Sequence, residues 1–441
     1  MAKDLTSGSP TRLILTYSVP LLIGNIFQQL YSMADTIIVG KCLGVDALAA
    51  VGATGGLSFL IIGFLIGLTS GFAVIVAQRF GAKDMEGLRR SVGTSTILCV
   101  FTTIVLTALS LLTSKPLLKL MNTPDNIMAD SQRYINIIFI GIVCTMFYNM
   151  MACILRAIGD SKTPLYFLIV SSILNIVLDL VFILNFNMGV AGAAWATVIS
   201  QAVSGILCLF YTMKKYDILK LSKQDFTYNS NFAWRHWKLG LPMALQFSVT
   251  AIGVLILQGA LNLFGSTKIA AYTAACKVEQ LVTQPAGTFG VTMANYAGQN
   301  LGAGRIDRVK EGVKKCLRLT LIFAVAASAI LLLFGKPLTG LFVDGKEVEV
   351  FESAQVYLTV IAIFLPALNV LFVYRNALQG VGRSFMPFMA GVFELVARTI
   401  CAFTLPAIIG FTGICLAGPI AWLAAAIPLA VTYYKTIKQF D

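Results

Sequence analysis

Long apolar runs separated by short polar stretches organise the whole chain. Twelve such runs fall near 13–39, 47–77, 92–113, 132–157, 164–185, 189–212, 239–264, 269–298, 316–334, 353–378, 387–409 and 413–433. A run of about 20 apolar residues crosses a ~30 Å hydrocarbon core at about 1.5 Å per residue. The pattern therefore predicts an all-α integral membrane protein of about 12 transmembrane helices. The opening MAKDLTSGSPTR is polar and lacks the basic-then-apolar layout of a cleavable signal, so the first run is expected to persist as a span.

Composition supports the bilayer as solvent. Of the 441 residues, 57% are hydrophobic and 12% are charged, where soluble domains carry roughly 25% charged residues to face water. The net charge of +13 could point to nucleic acid, but the basic residues alternate between loops instead of clustering on one arm or face. Topology accounts for them better. One side of the membrane collects 24 Lys and Arg, including Lys3, Arg12, six residues within 214–238 and six within 305–318. The other collects seven: Lys41, Lys115, Lys119, Arg133, Lys268, Lys336 and Lys346. Cytoplasmic loops carry the excess, so both termini are expected on the cytoplasmic side of an inner membrane. The nine cysteines form no CxxC pair and fall mostly in apolar runs, which gives neither a metal site nor a disulfide framework. The single histidine, His236, lies in a basic connector.

The chain also repeats itself. Residues 10–215 slide onto 232–437 with an offset of about 222: Pro20 falls on Pro242, AQRFGAKD (77–84) on GQNLGAGR (298–305), KPL (115–117) on KPL (336–338), and LRAIGDSKTP (155–164) on LQGVGRSFMP (378–387). Each half has an even number of spans, so both enter from the same side, as parallel repeats about an axis along the membrane normal. The expected division is an amino-terminal six-helix lobe, 1–212, a cytoplasmic linker, 213–238, and a carboxy-terminal six-helix lobe, 239–441.

Four stretches of the first half carry a family resemblance: LYSMADTIIVGKCLGVDALAAVG (30–52), GAKD (81–84), LRAIGDSKTP (155–164) and NIVLDLVFILNFNMGVAGAAWATVIS (175–200). Together they make the chain similar to the MATE (multidrug and toxic compound extrusion) family along nearly its whole length. The resemblance implies two six-helix bundles in a V, a central cavity open to one side at a time, and export driven by a proton or sodium gradient. It implies no cofactor beyond the coupling ion.

Asp35 and Asp179 are the sharpest chemical signals, because an ionisable group inside a span costs at least ~2.5 kcal/mol by insertion scales. Each lies five or six residues inside the outer end of its span, roughly 7–9 Å below the surface. Asn175 precedes Asp179 by four residues and so shares its helical face, and Thr197 reaches similar depth from span six. Carboxylates, an amide and a hydroxyl suit a proton or Na⁺, since hard oxygen ligands suit a small hard cation. The plain alternative is a pair of outer-interface aspartates satisfied by loop amides. In the DinF-like branch of the family, positions matching Asp35, Asn175, Asp179 and Thr197 form the amino-lobe cation site, and all four residue types are present. The NorM-like branch has an acidic residue eight positions after the proline of span seven; here that position is Thr250, so a carboxy-lobe cation site looks incomplete.

The second half instead holds Lys277, Glu279, Glu394 and Arg398. The i,i+4 spacing of Glu394 and Arg398 predicts an ion pair along span eleven, and Glu279 is read as either neutralised by Lys277 or facing a cavity. Gln28, Tyr31, Gln246, Glu279, Gln280 and Gln284 are the candidate substrate-cavity residues, with interhelical hydrogen bonding as the structural alternative. Pro20 is the candidate bending point of the first span, and Gly63, Gly67 and Gly71 predict close packing of span two.

Cation-coupled export of cationic or amphipathic drugs by a monomer surrounded by membrane lipid is the expected function. An ATP-driven pump is disfavoured because no GxxxxGK[ST] loop is present. A membrane enzyme would need clustered carboxylates or a histidine-based motif at a membrane face. The nearer alternative is a lipid-linked precursor flippase of the same superfamily, with a cationic central cavity for which only Lys277, Arg398 and Arg156 are at hand.

Overall fold

The computed structural model describes residues 4–342 and 348–440; Lys3 and Lys346 lie outside the described residues. It is built of α-helices: α1 (Pro10–Leu43), α2 (Val45–Ala53), α3 (Gly55–Gly81), α4 (Met85–Leu120), α5 (Asp125–Ile140), α6 (Ile142–Ala157), α7 (Lys162–Leu180) and α8 (Val190–Lys215), then α9 (Ser230–Leu261), α10 (Gly265–Gly302), α11 (Ile306–Thr339), α12 (Val348–Gly380), α13 (Phe385–Ile409) and α14 (Phe411–Lys438). Ten helical stretches among the described residues are long and apolar enough to cross a bilayer, and the bent pair α5 and α6 makes an eleventh. One of the ten, Ser230–Gly302, is divided by a 3-10 turn at Asn262–Phe264 into α9 and α10, which brings the crossings to twelve.

Two spans that read as continuous are broken. The second is interrupted at Thr54, within the glycine-rich VGATGG, where the Thr54 hydroxyl donates to the Val51 carbonyl at 2.7 Å and ends α2. The fourth bends by 46° between α5 and α6. The bend falls at Gly141, where Val198 of α8 occupies the space a Cβ would need. Their counterparts in the second half, α10 and α12, run unbroken. Elsewhere the halves repeat down to the backbone. Lys83 and its counterpart Gly304 both turn the chain with positive φ, 58° and 71°, after α3 and α10 respectively, although only the second is the residue type that adopts this conformation without strain.

By contacts the chain forms two units. One holds Met1–Asp4 with Val19–Ala244; the other holds Leu5–Ser18 with Leu245–Asp441. In the first unit, Gly67 and Gly71 let α3 meet the backbone of α9 at Met243 and Gly240 without a Cβ between them, as their four-residue spacing predicts. His236 is buried there against Phe72, ring centroids 5.8 Å apart. The connector after α8 also packs down: the Asp225 carbonyl sits over Gly93 of α4. In the second unit the segment before α1 is strapped to α10 and α11. The Leu5 N–H donates to Gln299 Oε1 at 2.9 Å, and Arg308 donates to the Gly8 carbonyl at 2.9 Å and to Asn300 Oδ1 at 3.0 Å.

Candidate functional site

In the first unit Asp35 of α1 and Asp179 of α7 come together. Their carboxyls meet within hydrogen-bonding reach, Asp179 fully buried and Asp35 half-buried. Asn175, one turn before Asp179, donates through Nδ2 to Thr197 Oγ1 of α8 at 3.4 Å. Asp35 Oδ1, both oxygens of Asp179 and Asn175 Oδ1 are buried and meet no donor among the described residues. Two facing carboxylates can only accept, so a bond between them needs a proton on one, or a cation shared by both.

Two tyrosines stand beside this pair. Tyr31, one turn before Asp35 on α1, and Tyr134 of α5 stand near enough to feel the charge of both carboxyls. Tyr134 has no signal in the sequence, since nothing in a span's first turn announces which neighbour it will face. Asp179 lies two residues before a π-turn, Val181–Asn185, a local irregularity frequent at functional sites. Gln28, two turns before Asp35, is exposed, and Pro20 is buried within α1, next to the point where the chain passes from one unit to the other.

The second unit holds a cavity of about 320 Å³, lined by Glu279, Gln280, Thr283 and Gln284 of α10 with Phe372 of α12 and Trp422 of α14. Three of the residues read from the sequence as cavity-lining are thus brought together. Gln246 is elsewhere: it is 8% exposed and accepts from Gln379 Nε2 at 2.9 Å. Glu279 accepts a 2.5 Å hydrogen bond from the Tyr357 hydroxyl, while Tyr272 packs edge-on against Tyr357 with centroids 4.7 Å apart. Glu394 does not pair with Arg398. It pairs with Arg375 of α12, both side chains buried, because across the helix interface a guanidinium reaches the carboxylate head-on, which residues on one helix surface do less well. Arg398 lies near enough for its charge to act on Glu279, and its Nε meets no acceptor.

The loop LRAIGDSKTP, between α6 and α7, is built around Asp160. Its Oδ1 accepts from the Thr163 N–H at 3.0 Å and the Lys162 N–H at 3.1 Å. Its Oδ2 accepts from the Thr163 hydroxyl at 2.5 Å and from the Tyr216 hydroxyl, with Lys215 at 3.6 Å. Burial opposes the charged form of Asp160, but these donors outweigh it and hold its carboxyl below the usual carboxylate range.

The MatE family profile matches residues 20–181 and 241–404. Over 389 residues the chain is 30% identical to the probable multidrug resistance protein YpnP of Bacillus subtilis (strain 168), covering 86% of this chain and 85% of that protein. Over 338 residues it is 31% identical to the probable multidrug resistance protein YoeA of the same strain, covering 75% and 73%. The fold superposes on the outward-facing conformation of a multidrug resistance MATE family transporter with a TM-score of 0.93 at 24% identity, covering 99% of this chain and 98% of that one. Two matched segments that follow the internal repeat, relatives alike over most of their length and a shared twelve-span fold agree that the chain belongs to the MATE family of multi-pass membrane transporters, a family of carriers and not of enzymes.

Proposed function

We propose that this transporter is a secondary active antiporter that exports amphipathic organic molecules, cationic drugs among them, in exchange for H⁺ or Na⁺ bound by Asp35, Asn175, Asp179 and Thr197. One observation carries the reading: four buried acceptor oxygens converge with no donor to satisfy them. Two ionised carboxylates in low dielectric repel each other, and a proton or a small hard cation relieves that repulsion. The bound ion changes which conformation is favoured only by its differential affinity, and α1, carrying Asp35 and interrupted in its hydrogen bonding by Pro20, is the element through which that preference is felt.

In this reading the chain works as a monomer, and the excess of basic residues on one side supports both termini being cytoplasmic. Its working parts are the lobes 1–212 and 239–441 with 213–238 between them, the amino lobe being of the DinF-like kind. The deciding experiment reconstitutes the purified protein in liposomes, imposes proton and sodium gradients separately, and follows efflux of a fluorescent dye. Flux that responds to one gradient identifies the ion. Flux indifferent to both overturns the reading.

A further inference from the structure

The carboxy-half cavity has a polarity that its residue list does not suggest. The span interiors of the second unit carry two carboxylates and three cations: Glu279 and Glu394 against Lys277, Arg375 and Arg398. Both carboxylates are already engaged. Glu394 is taken by Arg375, and Glu279 accepts from Tyr357 at 2.5 Å within the field of Arg398. The cations are not matched in the same way. Arg398 is 8% exposed, and its buried Nε meets no acceptor.

Lys277 is exposed and makes no hydrogen bond or ion pair among the described residues, although it lies eight residues, about 12 Å, inside the span that begins near 269. In lipid that position would cost about 2.5–3.5 kcal/mol, a cost that an exposed ammonium escapes by facing a water-filled space. Gln280 and Gln284 follow it at i+3 and i+7 on α10 and line the cavity that Phe372 and Trp422 complete, so that Lys277 stands about one turn before that lining and not within it. The charge available to a ligand on this stripe is therefore positive, even though a glutamate stands in the wall.

We propose that the Lys277, Gln280 and Gln284 stripe is an anion-accepting subsite, which takes the carboxylate or phosphate of an amphipathic substrate while its aromatic body packs on Phe372 and Trp422. This rests on the transport reading above and names the substrate class of its cavity: organic anions and zwitterions are preferred over plain cations.

The test uses a matched pair of dyes, the cationic ester rhodamine 6G and the free carboxylic acid obtained by hydrolysing that ester, titrated by tryptophan quenching onto the purified full-length protein in nanodiscs. The acid is expected to bind more tightly than the ester. Lys277→Gln is expected to weaken the acid about tenfold, the loss of one charge-assisted hydrogen bond, without weakening the ester, and Lys277→Arg to keep the preference. An ester that binds as tightly as the acid, or an acid indifferent to Lys277→Gln in a protein that elutes as a single species, overturns the proposal. Dye flux under imposed gradients separates the two ideas: the acid preference with no gradient-driven flux keeps the subsite and sinks the antiport, whereas gradient-driven flux with no acid preference does the reverse.

Discussion

The carboxylate of Glu394 on α13 is bound by Arg375 on α12, although Arg398 stands one helical turn away on its own helix. Both partners are buried, so removing one leaves the other charged in low dielectric, a situation that costs about 3–5 kcal/mol. Glu394→Gln is therefore expected to lower the thermal stability of the detergent-solubilised protein markedly. Among molecules that do fold, it should reduce efflux less than a change at Asp179. A Glu394→Gln protein that melts like the wild type would mean that Arg375 finds another acceptor.

Asp160 gives a pH signature on the loop side. Its carboxyl is held below the usual range by Thr163, Tyr216 and Lys215 against the pull of burial, so its ionised form stabilises the folded state. That contribution is fully present above the unfolded carboxyl value of about 3.9 and is lost as pH falls through the lower folded value. Asp160→Asn keeps an oxygen for the Lys162 and Thr163 N–H groups but puts an amide donor where Oδ2 accepts from the Thr163 and Tyr216 hydroxyls, and removes the charge that faces Lys215, a change of about 1–2 kcal/mol. Near neutral pH its melting temperature should lie below that of the wild type, and the two curves should converge under acid. Binding of the coupling cation should survive; its loss in a normally expressed variant would give Asp160 a direct part in coupling.

Orientation can be read with one native thiol and one introduced. Cys42 is exposed at the end of α1 beside Lys41, on the side expected to face outward. A membrane-impermeant maleimide should label it on intact cells, whereas Lys220→Cys in a Cys42→Ser background should label only after permeabilisation. The reverse pattern would invert the topology.

The twelve spans and the repeat were legible because lipid enforces a long apolar run and a doubled chain keeps its turn residues. The breaks were legible only in part. VGATGG around Thr54 is a visible weak point, but Gly141 is one glycine among 37, and the side chain that packs against it, Val198, is 57 positions away in α8. The same limit explains the ion pair: the i,i+4 rule sees one helix surface, while Arg375 arrives from another helix. Asp35 and Asp179 could be singled out because charge in a span is costly, and Asn175 because it shares a face with Asp179. Tyr134, Tyr357 and Trp422 could not, since an aromatic in a span is ordinary until the packing shows what it touches.

The coupling site makes the strongest demand. Asp35 and Asp179 face each other with only acceptors between them, so the pocket is satisfied when a proton or cation is present and repulsive when neither is. An amide at position 179 supplies a permanent N–H donor to Asp35 and removes one charge, which fixes the pocket in a state resembling the loaded one. Asp179→Asn should then insert in the membrane and bind dye, yet lose gradient-driven efflux. Asp35→Asn leaves the more deeply buried carboxyl able to take a proton, and should impair efflux by about tenfold or more, within the usual range of coupling free energies. Dye efflux from vesicles at roughly pH 6 to pH 8 brackets the range in which a buried carboxyl exchanges protons with water. Should both variants pump at wild-type rates throughout it, the ion is bound elsewhere, and the unpartnered oxygens of the amino half need another explanation.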